Sequence, residues 1–303
     1  MSAQLTLAAP AKLNLFLHIT GQRADGYHEL QSLIGFVGLA DEITVADMPG
    51  DARGRFPLTL DGPFAGAPGL VAEDNIVVRA ARALAASLEG TRRNEIGAAI
   101  HLTKNIPVAA GLGGGSADAA AVLRALAELW GVDDSHLAAI APTLGADVPV
   151  CLAGQPVLVA GMGEVLAPVP RLPAAGVVLV NPGRAVATPA VFAGFDQGPV
   201  VPIVDRPTPK GPFIDVRALA EALKVTSNDL TAAAENLVPE ITEVRAVLNQ
   251  GTGCRLVRMA GSGATCFGLF DDEDLARAGA GAIAKAHPGW WCWAGGFDAR
   301  MAS

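Results

Sequence analysis

A run of glycines between a predicted strand and a strongly helical segment constrains this chain more than any other feature. Residues 98–107 are typical of a strand, and four glycines follow within 111–115. After Ser116, apolar residues recur at three- and four-residue spacing as far as Trp130, which predicts a helix with one buried face. Ser116 is expected to be the N-cap of that helix. Free N–H groups and the positive end of a helix dipole would then converge at the glycines, which predicts a phosphate site.

A simple tight connection is the alternative explanation for these glycines. The P-loop requires Lys followed by Ser or Thr after its last glycine, whereas Gly115 precedes Ser116 and Ala117. The dinucleotide fingerprint requires an acidic residue after a second strand, but Asp133 and Asp134 directly follow the predicted helix. Neither motif fits, so two explanations are left: a third type of nucleotide loop or a simple tight connection.

The composition narrows the class of protein. A chain of 303 residues with 51% hydrophobic and 17% charged residues is long enough for two domains and typical of a globular protein. The net charge of −8 argues against nucleic-acid binding. The four cysteines form no CxxC pair, which favours free thiols in a reducing compartment. Without a signal peptide or a long apolar run, we expect a cytoplasmic protein that does not bind membranes.

The domain boundary is predicted near residue 165, where prolines cluster at Pro168, Pro170 and Pro173. We therefore expect one domain over residues 1–165 and a second over residues 166–303. The second half contains strands separated by pairs of helices, which favours a ferredoxin-like layer of helices on a sheet. The predicted fold class is α+β.

The first predicted strand carries two polar residues on one face. Lys12 and Asn14 are two positions apart and therefore project from the same side of a strand. We expect that strand to be interrupted at Pro10. Solvent-exposed strand positions are the alternative to a functional role for both residues.

Two further places carry candidate chemistry. Asp147 is the only charged residue between about Leu137 and Met162, so its carboxylate must be paired, hydrogen-bonded or functional, or else cap a helix. Tyr27 and His28 follow a predicted turn. They would either form a flat hydrogen-bonding platform for a base or sugar, or pack in the ordinary way.

Three blocks resemble those of the small-molecule kinase family that includes galactokinase, homoserine kinase, mevalonate kinase and phosphomevalonate kinase. They are Pro10-Ala-Lys-Leu-Asn-Leu, the loop from Pro107 to Asp118, and Ala260-Gly-Ser-Gly-Ala-Thr-Cys-Phe. Together they span nearly the whole chain. The resemblance implies a two-domain fold, with an N-terminal ribosomal-S5-like α/β domain that binds ATP over residues 1–165. It implies a C-terminal ferredoxin-like domain that binds the substrate over residues 166–303.

Other segments are similar to one branch of that family. They are Arg23-Ala-Asp-Gly-Tyr-His-Glu-Leu, Leu144-Gly-Ala-Asp-Val-Pro and Asn181-Pro-Gly. That branch uses ATP to phosphorylate the 2-hydroxyl of 4-diphosphocytidyl-2-C-methyl-D-erythritol in the non-mevalonate isoprenoid pathway. One departure is Ala117-Asp118, where many members have Ser-Asn or Ser-Ser.

The resemblance also implies residue roles. The catalytic residues would be Asp147 and Lys12. Asp147 would accept or orient the proton of the substrate hydroxyl, and Lys12 would stabilise the charge of the transferring phosphoryl group. ATP contacts are expected from Asn75, Lys104, Pro107, Gly111, Leu112, Gly113, Gly114, Gly115 and Ser116. Substrate contacts are expected from Asn14, Tyr27, His28, Asp147, Thr188, Phe192, Gly261, Ser262 and Gly263.

Within the substrate set, Tyr27 and Phe192 are expected to sandwich the cytosine ring while His28 hydrogen-bonds its edge. Mg²⁺ is expected to accompany ATP, and no residue is assigned as its ligand. The expected partners are these small molecules, without nucleic acid or membrane, and the expected state is a monomer or weak homodimer.

Overall fold

The computed structural model describes residues 3–48, 54–70, 74–88, 96–198 and 206–297, and the chain forms two compact units. The first unit draws on Met1–Ala11, Leu39–Val108 and Gly113–Ala153. The second draws on Lys12–Gly38, Ala109–Leu112 and Gly154–Ser303. Segments that precede residue 165 thus belong to both units, and the boundary near that residue stays a prediction.

The first unit combines strands with a layer of helices. Glu42–Asp47, the end of strand β2 (His28–Asp47), pairs antiparallel with β4 (Ala98–Thr103). Strand β3 (Leu58–Asp61) lies parallel to β4. The helices within the described part of this unit are α1 (Ile76–Ala86), α2 (Gly114–Trp130), α3 (Asp134–Leu144) and α4 (Val148–Ala153).

Helix α2 is the centre of the first unit. It packs on α1, α3 and α4, and most of its residues between Ala117 and Trp130 are buried. Many of these residues are alanines, which allow neighbouring helices to approach closely. Larger side chains such as Leu123 and Leu126 fill the core, and each contributes about 1.5–3 kcal/mol by leaving water.

The second unit is built on an antiparallel sheet with the strand order β10–β7–β9–β8. Its strands are β7 (Gly176–Asn181), β8 (Cys254–Met259), β9 (Cys266–Phe270) and β10 (Trp291–Gly296). Helices α8 (Glu240–Asn249) and α9 (Glu273–Ala286) pack on this sheet. The unit also contains α5 (Thr188–Asp196), α6 (Val216–Leu223) and α7 (Thr231–Leu237).

A second set of strands in this unit carries Lys12 and Asn14. They lie in β1 (Gln4–Gln22), which pairs with β2. Leu30–Ile34 of β2 pairs with β5 (Val157–Gly161), and β5 forms a hairpin with β6 (Val165–Pro168). No helix within the described ranges is long and apolar enough to cross a membrane.

Two predictions of local structure were wrong. Strand β1 runs through Pro10 without a break, because the fixed φ of proline is compatible with an extended strand and only a backbone donor is lost. Helix α2 begins at Gly114, so Ser116 lies inside its first turn instead of capping it. Pro239 lies between α7, which ends at Leu237, and α8, which begins at Glu240.

Candidate functional site

The glycine loop adopts a backbone that side chains would not permit. Gly111 has φ of +78° and Gly113 has φ of +66°, both in the left-handed region. A Cβ atom on Gly111 would lie 2.3 Å from the carbonyl oxygen of Ala260 and 2.9 Å from that of Gly263. Within the second unit, Gly111 therefore packs directly against the backbone of a second glycine loop, Gly261–Gly263.

The first turn of α2 presents unused hydrogen-bond donors. Its N-cap is Gly113, which has no side chain to cap the helix, and Ala117 N donates to Gly113 O at 2.9 Å. In the described chain, the N–H groups of Gly114, Gly115 and Ser116 have no acceptor. Together with the helix dipole, three such donors form a site suited to phosphate oxygens.

Asn75 holds a second unused donor in the first unit. Its Oδ1 accepts from Val77 N at 3.0 Å and so caps α1. Asn75 is 4% exposed, and its Nδ2 has no partner among the described residues. Because an unsatisfied buried donor costs about 1–3 kcal/mol, this amide fits a ligand that brings an acceptor.

Lys104, predicted to lie near ATP, is buried between two carboxylates. Its Nζ donates to Asp41 Oδ2 and, at 2.8 Å, to Asp118 Oδ2. Asp41 Oδ1 also accepts the backbone N–H groups of Asn105 and Ile106, at 2.6 Å and 2.8 Å. The cluster joins β2, the segment leading into the glycine loop, and α2. The contact between Lys104 and ATP stays a prediction.

Burial and the neighbouring charges together shift the pKa of Asp118. Burial raises its pKa well above the usual value, and the charge of Asp41 adds to that effect, while Lys104 opposes it. Burial alone would lower the pKa of Lys104, but Asp118 and Asp41 outweigh it and the pKa is raised. A proton shared by the two carboxylates would make this buried cluster neutral overall.

Asp118→Asn is expected to make stability less dependent on pH. Because its pKa is raised in the folded state, Asp118 keeps its proton to higher pH there than in the unfolded chain, where it ionises above about pH 4. This contribution is full below that pH and is lost as the pH rises through the raised folded pKa. Asparagine cannot ionise, so the variant should gain stability relative to the parent as the pH rises above about 4. Urea unfolding at several pH values tests this, and identical pH profiles would contradict it.

In the second unit, Lys12 and Asn14 lie in a buried chain of hydrogen bonds. Lys12 Nζ donates to Asn14 Oδ1 at 2.7 Å, and Asn14 Nδ2 donates to Ser32 Oγ at 2.8 Å. Ser32 Oγ in turn donates to Phe16 O at 2.5 Å. Lys12 and Asn14 are 5% and 3% exposed, which excludes the explanation that they are solvated strand positions. The backbone N–H of Lys12 also donates to Leu112 O at 3.0 Å, so this strand is bonded to the glycine loop.

The second glycine loop, Gly261–Gly263, is held by two polar side chains. Asn228 Nδ2 donates to Met259 O and Gly261 O at 2.9 Å and 2.7 Å. Thr188 Oγ1 and Ser262 Oγ lie 2.9 Å apart. Asn228 is absent from the residues predicted for the site, because its bonds to the loop join residues about thirty positions apart in sequence.

The side chains of Tyr27 and His28 lie in different surroundings. The His28 ring stacks on Phe192 with centroids 5.0 Å apart, and its Nε2 lies 2.7 Å from Asp196 Oδ1. Tyr27 is 67% exposed, and its ring makes no contact with the ring of a described residue. The predicted sandwich of cytosine by Tyr27 and Phe192 stays a prediction.

Asp147 lies in the first unit and directly precedes α4. The carbonyl of Asp147 accepts a hydrogen bond from the N–H of Cys151 at 3.0 Å, so the backbone of Asp147 begins that helix. Asp147 is partly exposed. A position at a helix start is compatible with both the capping and the functional explanation.

Comparisons with known proteins match both parts of the chain. Residues 75–155 match the model of the GHMP kinases N terminal domain, and residues 212–289 match that of the GHMP kinases C terminal domain. A protein of Paracoccus denitrificans named 4-diphosphocytidyl-2-C-methyl-D-erythritol kinase is 50% identical over 290 residues, which is 95% of each chain.

Solved structures give the same result. A crystal structure of 4-(cytidine 5'-diphospho)-2C-methyl-D-erythritol kinase is 38% identical with a TM-score of 0.72, covering 97% of this chain and 99% of that one. Homoserine kinase from Cytophaga hutchinsonii is 19% identical with a TM-score of 0.65, covering 98% and 95%, and shares the fold. The expected fold class is thereby confirmed. Because both family models and a 50% identical relative cover this sequence, the chain belongs to the GHMP kinase family.

Proposed function

We propose that this chain transfers the γ-phosphoryl group of ATP to the 2-hydroxyl of 4-diphosphocytidyl-2-C-methyl-D-erythritol. The observation that carries the proposal is the uncapped first turn of α2. There three N–H groups have no acceptor among the described residues, and the helix dipole favours a bound anion. The names of the 50% identical relative and of the 38% identical structure support the choice of substrate.

On the donor side, the loop from Gly111 to Ser116 is proposed to bind the phosphates, with Pro107 and Leu112 shaping it. Asn75 is proposed to donate its unpartnered Nδ2 to the nucleoside of ATP. The described residues contain no group of three or more His, Cys, Asp or Glu side chains suited to a metal ion. Mg²⁺ is proposed to arrive with the ATP phosphates, where it would neutralise their charge.

The chemical step needs positioning and charge stabilisation. Asp147 is proposed to accept or orient the proton of the 2-hydroxyl, which makes its oxygen a better nucleophile. Lys12, held in place by Asn14, is proposed to stabilise negative charge on the transferring phosphoryl group. Neither role requires a covalent intermediate on the protein.

On the acceptor side, the His28–Phe192 stack is proposed to receive the cytosine. Phe192 supplies an apolar surface and His28 a hydrogen-bonding edge, while Tyr27 is exposed and able to cover the other face of the base. Asn14, Thr188 and the loop Gly261–Gly263 are proposed to contact the sugar and methylerythritol parts.

Tyr27→Ala is expected to raise the KM for the cytidyl substrate by roughly 5- to 150-fold, because base–aromatic stacking contributes about 1–3 kcal/mol. The KM for ATP should stay unchanged. Ile214→Ala is the matched control, since Ile214 is 88% exposed and no substrate role is proposed for it. Equal weakening of both ligands, or no change at all, would count against stacking.

The proposed function is tested by ADP release from ATP with a panel of acceptors. Turnover is expected with the cytidyl substrate, and much less with its cytidine-free analogue, mevalonate or homoserine. Preference for mevalonate or homoserine would assign another kinase activity of the family. ATP binding without turnover of any acceptor would instead indicate a binding or regulatory protein.

A further inference from the structure

His28 is held on three sides by residues of one helix. Phe192, Phe195 and Asp196 lie on α5 at spacings that place them on one helix face. Phe192 covers the ring face, and Phe195 meets it edge-on with centroids 5.9 Å apart and planes at 83°. Asp196 Oδ1 fixes Nε2 at 2.7 Å. The His28 side chain is only 9% exposed, so this arrangement leaves the ring little freedom to turn.

The contact with Asp196 determines which ring nitrogen carries the proton. A carboxylate only accepts hydrogen bonds, so Nε2 of His28 must donate. In the neutral ring, Nδ1 is then an acceptor. Among the described residues, the hydrogen bond of the His28 ring is to Asp196 alone, which leaves Nδ1 for a ligand.

We propose that Asp196 is a positioning residue that acts through His28 and makes the enzyme select cytosine over uracil. This rests on the proposed function, in which His28 faces the edge of the base. The exocyclic 4-amino group of cytosine is a donor, whereas uracil carries an acceptor oxygen at that position. With cytosine bound, Nδ1 accepts a hydrogen bond from the amino group. With uracil bound, Nδ1 and the uracil oxygen would both be acceptors, and no proton would lie between them.

A purely structural role does not account for Asp196. It is the last residue of α5, where a negative charge opposes the helix dipole. Its side chain is 42% exposed, and exposed ion pairs contribute little to stability. Replacement by asparagine should therefore leave the fold intact. Asparagine offers either a donor or an acceptor to Nε2, so both His28 tautomers would become accessible.

The test compares kcat/KM for the cytidyl substrate and its uridyl analogue in the parent and in Asp196→Asn. The cytidyl-to-uridyl ratio is expected to fall by at least about tenfold, since losing a matched polar contact weakens discrimination strongly. The KM for ATP and the melting temperature should not change. Asp274→Asn is the matched control, because Asp274 lies on α9 with a side chain 95% exposed.

Two readouts separate action through His28 from other effects. In a His28→Ala background, Asp196→Asn should not change the ratio further, and a further fall would overturn the proposal. Nitrogen-15 spectra of histidine-labelled parent protein should show His28 protonated at Nε2. A proton at Nδ1 instead would also overturn it, whether or not the His28 variant folds.

The failures of the two proposals are distinguishable. A parent that turns over neither substrate contradicts the proposed function, on which this inference rests. A parent that prefers the cytidyl substrate, with the same preference in Asp196→Asn, overturns the role of Asp196 alone.

Discussion

Asp147→Ala is expected to lower kcat by at least about 10²- to 10⁴-fold, the usual contribution of a group that accepts or orients a proton in the transition state. The variant should remain folded, because Asp147 is only partly buried and its backbone begins the helix α4 through a carbonyl that alanine retains. Nucleotide affinity should be unchanged, since no ATP contact is proposed for this carboxylate. Steady-state kinetics and calorimetric titration with a non-hydrolysable ATP analogue measure the two quantities separately.

Asp133→Ala is the control for Asp147→Ala. Asp133 also precedes a helix, and its side chain caps α3 by accepting from Ser135 N at 2.9 Å. Its loss should lower the melting temperature slightly, because a helix cap is removed, without a comparable fall in kcat. Activity of Asp147→Ala within about tenfold of the parent would contradict the proposed role of Asp147.

Gly111→Ala is expected to prevent native packing of the two glycine loops. The left-handed backbone alone costs a non-glycine residue about 1–2 kcal/mol. The larger effect is steric, because the new Cβ would lie 2.3 Å from Ala260 O, a distance that no relaxed structure allows. Both partners are backbone, so the loops must separate. Thermal unfolding should show a lowered melting temperature, and ATP binding should be lost.

Gly115→Ala is the matched control for Gly111→Ala. A Cβ on Gly115 would meet the Ile76 side chain at 3.7 Å, an ordinary van der Waals contact, and Gly115 lies in the first turn of α2. The control should fold with the stability of the parent. If Gly111→Ala also folds with an unchanged melting temperature, the close approach of the two loops is wrong.

The local elements of the site could be predicted from sequence because their signals are local. The helix after the glycines follows from the apolar spacing between Ser116 and Trp130, and the cap at Asn75 follows from its residue type. The prediction that Ser116 caps α2 is wrong, because the helix begins after Gly113. The left-handed backbone of Gly113 leaves no local signal in the residue type of Ser116.

The partners of the polar residues could not be predicted in the same way. Lys104 and Asp41 are 63 positions apart, and His28 and Asp196 are 168 positions apart. Neither pair has a periodic signature in one sequence, because strand pairing and helix packing bring them together. Sequence spacing therefore identified His28 as a candidate without the carboxylate that fixes its proton.

The most direct test of the proposed function is the identity of the product. ³¹P NMR of a reaction with ATP and the cytidyl substrate should show ADP and one new phosphomonoester resonance, with the diphosphate bridge of the substrate intact. Coupling of the new phosphorus to C2 of the methylerythritol moiety would place the phosphate on the 2-hydroxyl. A phosphate on another oxygen, or release of inorganic phosphate without a new ester, would contradict the proposed reaction.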